Sequence, residues 1–303
     1  LAGLSVLARI PEAPKALLLA LHGLQGSKEH ILALLPGYAE RGFLLLAFDA
    51  PRHGEREGPP PSSKSPRYVE EVYRVALGFK EEARRVAEEA ERRFGLPLFL
   101  AGGSLGAFVA HLLLAEGFRP RGVLAFIGSG FPMKLPQGQV VEDPGVLALY
   151  QAPPATRGEA YGGVPLLHLH GSRDLIVPLA RMEKTLEALR PHYPEGRLAR
   201  FVEEGAGHTL TPLMARVGLA FLEHWLEARW RDPGRAQGLP GLPRGVQGLP
   251  QGLPHGGALL VAPGGGRGDD KPPPGPRPRG VPLQRGGPQA PHLPPHGGGK
   301  ARP

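Results

Sequence analysis

The stretch PLFLAGGSLGAFVAHLLLAEG, Pro97 to Gly117, decides the fold. An apolar run, Leu98 to Ala101, enters Gly102-Gly103-Ser104-Leu105-Gly106, and a second apolar run with helical spacing leaves it. The five central residues fit G-x-S-x-G. A serine hydroxyl stands above a sheet only on a tight strand-to-helix turn, where bulky residues two positions away on either side would clash. Gly102 and Gly106 remove that clash. The start of the following helix offers unpaired N–H groups and a partial positive charge. By itself the pattern also describes an ordinary glycine-rich turn, so its meaning rests on the surrounding chain.

Outward from this stretch, strand-like runs alternate with helix-like ones. Strands are expected at Leu4 to Ile10, Ala16 to Leu21, Phe43 to Phe48, Leu98 to Ala101, Val123 to Ile127, Pro165 to Leu169 and Leu198 to Val202. Most are apolar on both faces, as in a buried parallel sheet. The clearest helix is Tyr68 to Phe94. There Val72, Ala76, Phe79, Ala83, Val86, Ala90 and Phe94 step by three or four along one face. Glu81–Arg85, Glu88–Arg92 and Glu89–Arg93 are spaced for i,i+4 pairing on a solvated face. Further helices are expected over Ile31 to Arg41, Ser104 to Glu116, Leu179 to Leu189 and Thr211 to Trp230. The alternation predicts an α/β fold, a doubly wound, mostly parallel sheet with right-handed crossovers. Ligands in such sheets bind at the carboxyl ends of the strands, where His22, Asp49, Ser104, Asp174 and His208 fall.

The 303 residues divide unevenly. Residues 232 to 303 hold 19 Gly and 17 Pro, half of that segment, with no aromatic residue. It cannot bury enough apolar area to offset its ordering entropy and is expected to be disordered. Its Gly-Leu-Pro repeats lose their period at Arg244 to Gln247, which argues against a collagen helix. The tail also carries 9 Lys+Arg against 3 Asp, +6 of the chain's +8. The body, residues 1 to 231, is therefore near neutral, and the high isoelectric point does not make it a nucleic-acid binder. The abrupt change in composition leads us to expect that the natural domain ends near Trp230. The tail would then be shifted-frame or read-through translation. There is no Cys, which excludes disulfides, thiol nucleophiles and Cys-based metal sites. The lack of Cys and Asn in a Pro- and Arg/Glu-rich body fits a thermophile. With no membrane-length apolar run and no signal-peptide pattern, a soluble cytoplasmic protein is expected.

A serine hydroxyl needs a base to act as a nucleophile. His208, in Glu204-Gly205-Ala206-Gly207-His208-Thr209, follows the last strand and precedes the last helix. His111 lies inside a helix, His168 within a strand, and His292 and His296 in the tail. His168 and His170 share a strand face, but without nearby carboxylates or cysteines they read as packing rather than metal ligands. The base in turn needs a carboxylate to fix its tautomer. Asp174, after the strand 165–169, is the first candidate, and Asp49 at another strand end is its rival. Glu203 and Glu204 lie too close to His208 in sequence to be favoured.

The order Ser104, Asp174, His208 on successive strand ends resembles the α/β-hydrolase superfamily. His22-Gly23-Leu24-Gln25-Gly26 is similar to that family's oxyanion loop. Asp49-Ala50-Pro51-Arg52-His53-Gly54 resembles its D-x-P-G-H-G segment, with Arg52 in place of Gly. His170-Gly171-x-x-Asp174-x-x-Val177-Pro178 resembles its acid loop. The likeness spans nearly all of residues 1 to 231. It is greatest to small bacterial serine esterases of the dienelactone-hydrolase-like branch, although dienelactone hydrolase itself uses cysteine.

The resemblance implies a Ser104 nucleophile, a His208 base oriented by Asp174, and an oxyanion held by the N–H groups of Leu24 and Leu105. It implies no metal and no organic cofactor. The expected substrate is a small-molecule acyl ester, in a pocket that takes in His22, Gly23, Arg52 and His53. A short cap is expected over residues 129 to 163, where Phe131, Met133, Leu135, Val146, Leu147, Leu149 and Tyr150 form either an apolar wall suited to small or medium acyl groups or a packed surface loop. A thioesterase or small peptidase would use the same triad. A non-catalytic binding protein acting through the basic tail is the alternative of another class.

Overall fold

The computed structural model describes residues 1–228 together with 247 and 248. In chain order the strands are β1 (Val6–Arg9), β2 (Ala16–Leu21), β3 (Phe43–Phe48), β4 (Leu98–Gly103), β5 (Val123–Phe126), β6 (Leu166–Gly171), β7 (Leu198–Glu203) and β8 (Gln247–Gly248). The helices are α1 (Lys28–Ala33), α2 (Tyr68–Phe94), α3 (Leu105–Ala115), α4 (Pro144–Gln151), α5 (Leu179–Leu189) and α6 (Pro212–Glu227), joined by short 3-10 turns.

The strands form one sheet in the order β1-β3-β2-β4-β5-β6-β7-β8. From β3 to β7 every pairing is parallel. β1 and β8 close the two edges antiparallel. The doubly wound, mostly parallel α/β architecture expected from sequence is therefore the one present. β8 falls in the tail expected to be disordered, and the rest of that tail lies outside the described residues. β2 through β6 are buried along their whole length, so their continuous apolar runs serve two cores at once. Leu17, Leu19 and Leu21 join a core with α2, α3 and α5. Ala16, Leu18 and Ala20 join the opposite core with α1 and α6. Because side chains alternate across a strand, one sequence fills both layers.

α2 runs as the spacing predicts, and its stripe from Val72 to Ala90 is buried. The ion pairs on its outer face are not those expected. Glu81 pairs with Lys80 at 2.7 Å, Glu89 accepts the Ala2 N–H at 2.5 Å, and the Arg93 guanidinium lies over Phe94. The helix expected over 31–41 is also corrected. It starts earlier, at Lys28, capped by the Ser27 side chain accepting from His30 N, and it stops at Ala33. Pro36 and Gly37 (φ 83°) then break the chain before a 3-10 turn at Ala39–Arg41. The last helix ends at Glu227, and Trp230 lies outside the described residues.

The strand order reverses between β2, which lies beside β3, and β4 on its other side. Such a reversal opens a crevice at the carboxyl ends of the two strands. The loop after β2 and the turn after β4 meet there.

Candidate active site

Ser104 joins β4 to α3. Its backbone adopts φ 52°, ψ −110°, a region a non-glycine residue occupies only under constraint. The constraint comes from both sides. Ser104 N donates to Phe126 O of β5 at 2.9 Å, and α3 packs against β2 so closely that a Cβ on Gly106 would lie 2.1 Å from Leu21 O. A Cβ on Gly102 would lie 2.3 Å from Gly106 O. The two glycines flanking the serine are thus required by backbone contact. All eleven residues of α3 are buried, which fixes the helix start beneath the hydroxyl.

His208 sits between β7 and α6, and Asp174 between β6 and α5. Their loops are laced together. Ser172 N donates to Glu203 O at 3.0 Å, Arg173 N to Ala206 O at 2.9 Å, and Gly205 N to Ser172 Oγ at 2.9 Å. Asp174 Oδ1 accepts from Ile176 N at 2.9 Å and Val177 N at 2.8 Å. Its Oδ2 lies 2.7 Å from His208 Nδ1, and His208 Nε2 lies 2.9 Å from Ser104 Oγ. A carboxylate only accepts, so the neutral imidazole carries its proton on Nδ1 and leaves Nε2 free to take the serine proton. The Asp174 side chain is fully buried, while His208 is partly open to solvent. The three residues proposed from sequence therefore form one hydrogen-bonded line.

Asp49, the rival acid, is engaged elsewhere. Its Oδ1 accepts Lys28 N at 2.9 Å, and its Oδ2 accepts Lys28 Nζ at 2.8 Å and Glu55 N at 3.2 Å. Burial disfavours charge on both partners. The hydrogen bonds outweigh it, holding the Lys28 pKa above and the Asp49 pKa below their usual values. This ion pair ties the start of α1 to the end of β3. Lys28 was missed from sequence because its partner is 21 residues away; its position directly after H-G-L-Q-G-S was the only signal.

The same tie shapes the loop His22 to Gly26. Gly26 N donates to Gly23 O at 3.0 Å, closing a turn with Gln25 at φ 61°. The closing bond uses the Gly26 N–H and leaves that of Leu24 outside it. A Cβ on Gly23 would lie 3.2 Å from Ser104 Cβ, so this loop abuts the serine. His22 is buried, with Nδ1 donating to Gly23 O at 2.7 Å and Nε2 accepting from Ala50 N at 2.9 Å. Burial pushes its pKa down to about 4, so it acts as a neutral staple between two loops.

Of the four residues expected to line the pocket, Gly23 is the one set against Ser104. His22 and His53 are each 2% exposed and are tied to backbone, His53 through Pro51 O at 2.8 Å. Arg52, where the resembled motif has Gly, takes the left-handed φ 63° that glycine would favour. Its guanidinium donates to Pro59 O and Glu71 at 2.8 and 3.0 Å.

The expected cap segment contains α4 and two 3-10 turns, Pro154–Thr156 and Gly158–Tyr161. Val146 and Leu149 are buried, whereas Leu135 and Leu147 are exposed. Glu70 of α2 accepts from Glu142 N and Asp143 N at 2.5 and 2.7 Å, and these bonds hold its pKa below the usual carboxylate value. Tyr73 Oη accepts from Met133 N at 2.5 Å, and Tyr150 Oη donates to Met133 O at 3.0 Å. Arg181 donates to Phe131 O at 2.7 Å. The segment is thus bolted to α2 and α5. Among the described residues, no cluster of three or more His, Asp, Glu or Cys is placed to hold a metal, and no helix is long and apolar enough to cross a membrane.

Sheet order, the strained strand-to-helix turn at Ser104 and the loop positions define the α/β-hydrolase fold. The chain has the α/β-hydrolase fold and is similar to carboxylesterase-like hydrolases. No family model matches it. A curated Bacillus subtilis (strain 168) protein named "Putative esterase YitV" is 27% identical over 218 residues, 63% of this chain and 82% of that protein. The crystal structure of esterase PE8 superposes with a TM-score of 0.53 at 20% identity, covering 73% of this chain and 97% of that one. A puromycin-hydrolyzing peptidase of Mycobacterium tuberculosis gives a TM-score of 0.56 at 18% identity over 75% of this chain, which spans 38% of that peptidase.

Proposed function

We propose that the protein hydrolyses carboxylic esters of small or medium acyl groups through an acyl-enzyme on Ser104. The observation that carries this reading is the line from Ser104 through His208 to Asp174, with a strained serine at its head. Ser104 Oγ attacks the acyl carbonyl carbon while His208 Nε2 takes its proton. The Asp174 carboxylate stabilises the imidazolium that forms. The N–H groups of Leu105, in the first turn of α3, and of Leu24 hold the developing oxyanion. Each such donor contributes about 3–4 kcal/mol to the transition state. Collapse expels the alcohol, which takes the proton from His208. Water, deprotonated by His208, then attacks the acyl carbon and restores Ser104.

The bolted cap supports the size limit. Phe131 and Met133, expected from sequence to wall the acyl side, have backbones held by Arg181, Tyr73 and Tyr150, which favours a wall of fixed size. The likeness to an esterase relative favours oxygen esters as substrates. A p-nitrophenyl ester series from acetate to palmitate tests the reading. The expected result is burst kinetics with kcat/KM highest at short to medium chains; no turnover of any ester would overturn it. A peptidase structure shares the fold. Turnover of aminoacyl p-nitroanilides faster than the matching esters would move the assignment to amide hydrolysis.

A further inference from the structure

β6 presents a second histidine immediately behind the acid loop. His170 is fully buried, and its Nε2 lies 2.7 Å from Val177 O and 3.5 Å from Asp174 Oδ2. A carbonyl oxygen only accepts, so the ring proton is on Nε2 and Nδ1 is bare; Nδ1 has no hydrogen-bond partner among the described residues. The single N–H therefore bridges the loop near its far end while its edge faces the carboxylate. His208 approaches the same Oδ2, at 2.7 Å. Oδ1 is already taken by Ile176 N and Val177 N. Oδ1 is thus held by two backbone donors and Oδ2 by His208, with the His170 ring 3.5 Å from Oδ2 behind it. The charged and titratable groups facing His170 are Asp174 on its own loop, His168 on β6, His208 from the β7–α6 loop and Glu183 from α5.

We propose that His170 is a positioning residue. Its neutral Nε2–H clamps the 170–177 loop through Val177 O, and that loop carries Asp174 in line with His208. The proposal rests on the triad reading above. It goes beyond the sequence reading, in which this histidine was packing. His168, two residues earlier on the same strand face, makes a different contact. Its Nε2 lies 3.1 Å from His111 Nε2 of α3, so it supports the fold away from the acid.

The test exploits which ring nitrogen is used. Glutamine places its amide N–H where Nε2 sits, and asparagine where Nδ1 sits. His170→Gln is expected to stay within about twofold of wild-type kcat, whereas His170→Asn loses about 3- to 10-fold in kcat with KM little changed, the worth of one neutral hydrogen bond. The downfield proton resonance of His208 Nδ1–H reads the same geometry without turnover. It is expected to persist in His170→Gln and to shift or broaden in His170→Asn. His168→Gln, equally buried, is expected to lower the melting temperature without moving kcat or the resonance. Equal behaviour of the Gln and Asn variants at position 170, or an equal kcat loss in His168→Gln, overturns the proposal. If His170→Asn does not fold, the resonance in His170→Gln decides: retained it supports the clamp, lost it refutes it. Ester hydrolysis that survives Ser104→Ala would instead refute the triad reading, which separates the two failures.

Discussion

At the scale of residues, the site depends on how each polar atom is assigned. Asp174 gives one oxygen to two backbone amides and the other to His208, so Asp174→Asn keeps the shape but disturbs the tautomer. A loss of about 10⁴-fold in kcat with nearly unchanged KM is expected from steady-state ester hydrolysis, by analogy with the same change in a serine protease triad. A loss below tenfold would mean that another group orients His208. Asp49 has a different task. Asp49→Ala takes its buried partner from Lys28 and leaves the ammonium to Glu55 and Glu29, at 2.9 and 3.3 Å, both on exposed side chains. With those two carboxylates still in place the cost is about 1–3 kcal/mol, the lost charge-assisted hydrogen bonds, rather than that of a fully unpaired buried charge. Denaturant melts should show that loss, with a fall in kcat as the loop carrying Leu24 loosens. The serine, histidine and acid were legible because each sits in a small-residue loop directly after an apolar strand. The Lys28–Asp49 tie and the His170 clamp were not. Both are made by tertiary approach of residues whose own types, a lysine and a strand histidine, have many ordinary uses.

At the scale of elements, α2 was readable from end to end because its apolar stripe repeats over seven turns. The region 31–41 was not, since the helical spacing of Ile31, Leu32 and Leu35 outweighed the Pro36-Gly37 breaker that stands in the sequence. The cap was visible only as a segment. Its attachment runs through Glu70, a residue that looks like one more charge on a solvated helix face but is 3% exposed. Glu70→Ala removes the acceptor for the amides at 142 and 143, freeing the start of α4. The expected outcome is a broadened ester chain-length preference, with KM for long acyl esters falling while kcat for p-nitrophenyl acetate stays unchanged. An unaltered chain-length profile would show that the cap does not set acyl size.

At the scale of the whole molecule, the two cores leave several imidazoles neutral inside. Burial pushes His111 from 6.5 down to about 3 and His22 to about 4, and it holds His168 well below its usual value. Their folded values are depressed, so the stability at stake is fully present above 6.5. It is lost as pH falls toward the folded values, because the unfolded chain takes up protons that the native state refuses. For His111 alone the loss reaches roughly 3 kcal/mol by about pH 4. Urea melts between neutral pH and about pH 4 should show stability falling steeply from the mid-sixes, with His111→Phe reducing the proton uptake by about one. Constant stability over that range would contradict the buried neutral imidazoles. The change in composition near Trp230 leads to a further expectation: a chain ending at Arg231 gives up the two-residue pairing of β8 with Ala199 and Arg200 yet keeps the melting temperature and the ester turnover of the full chain. A large loss of either would show that the tail belongs to the working protein.

The expectations for turnover hang on Ser104 carrying the acyl group. The most direct measurement is peptide mass mapping after reaction with a fluorophosphonate, on the wild-type protein and on Ser104→Ala. One phosphonyl adduct on the peptide containing Ser104 is expected in the wild type, with ester turnover abolished in step, and none in the variant. An adduct on another serine, or ester hydrolysis that persists in Ser104→Ala, would contradict the assignment.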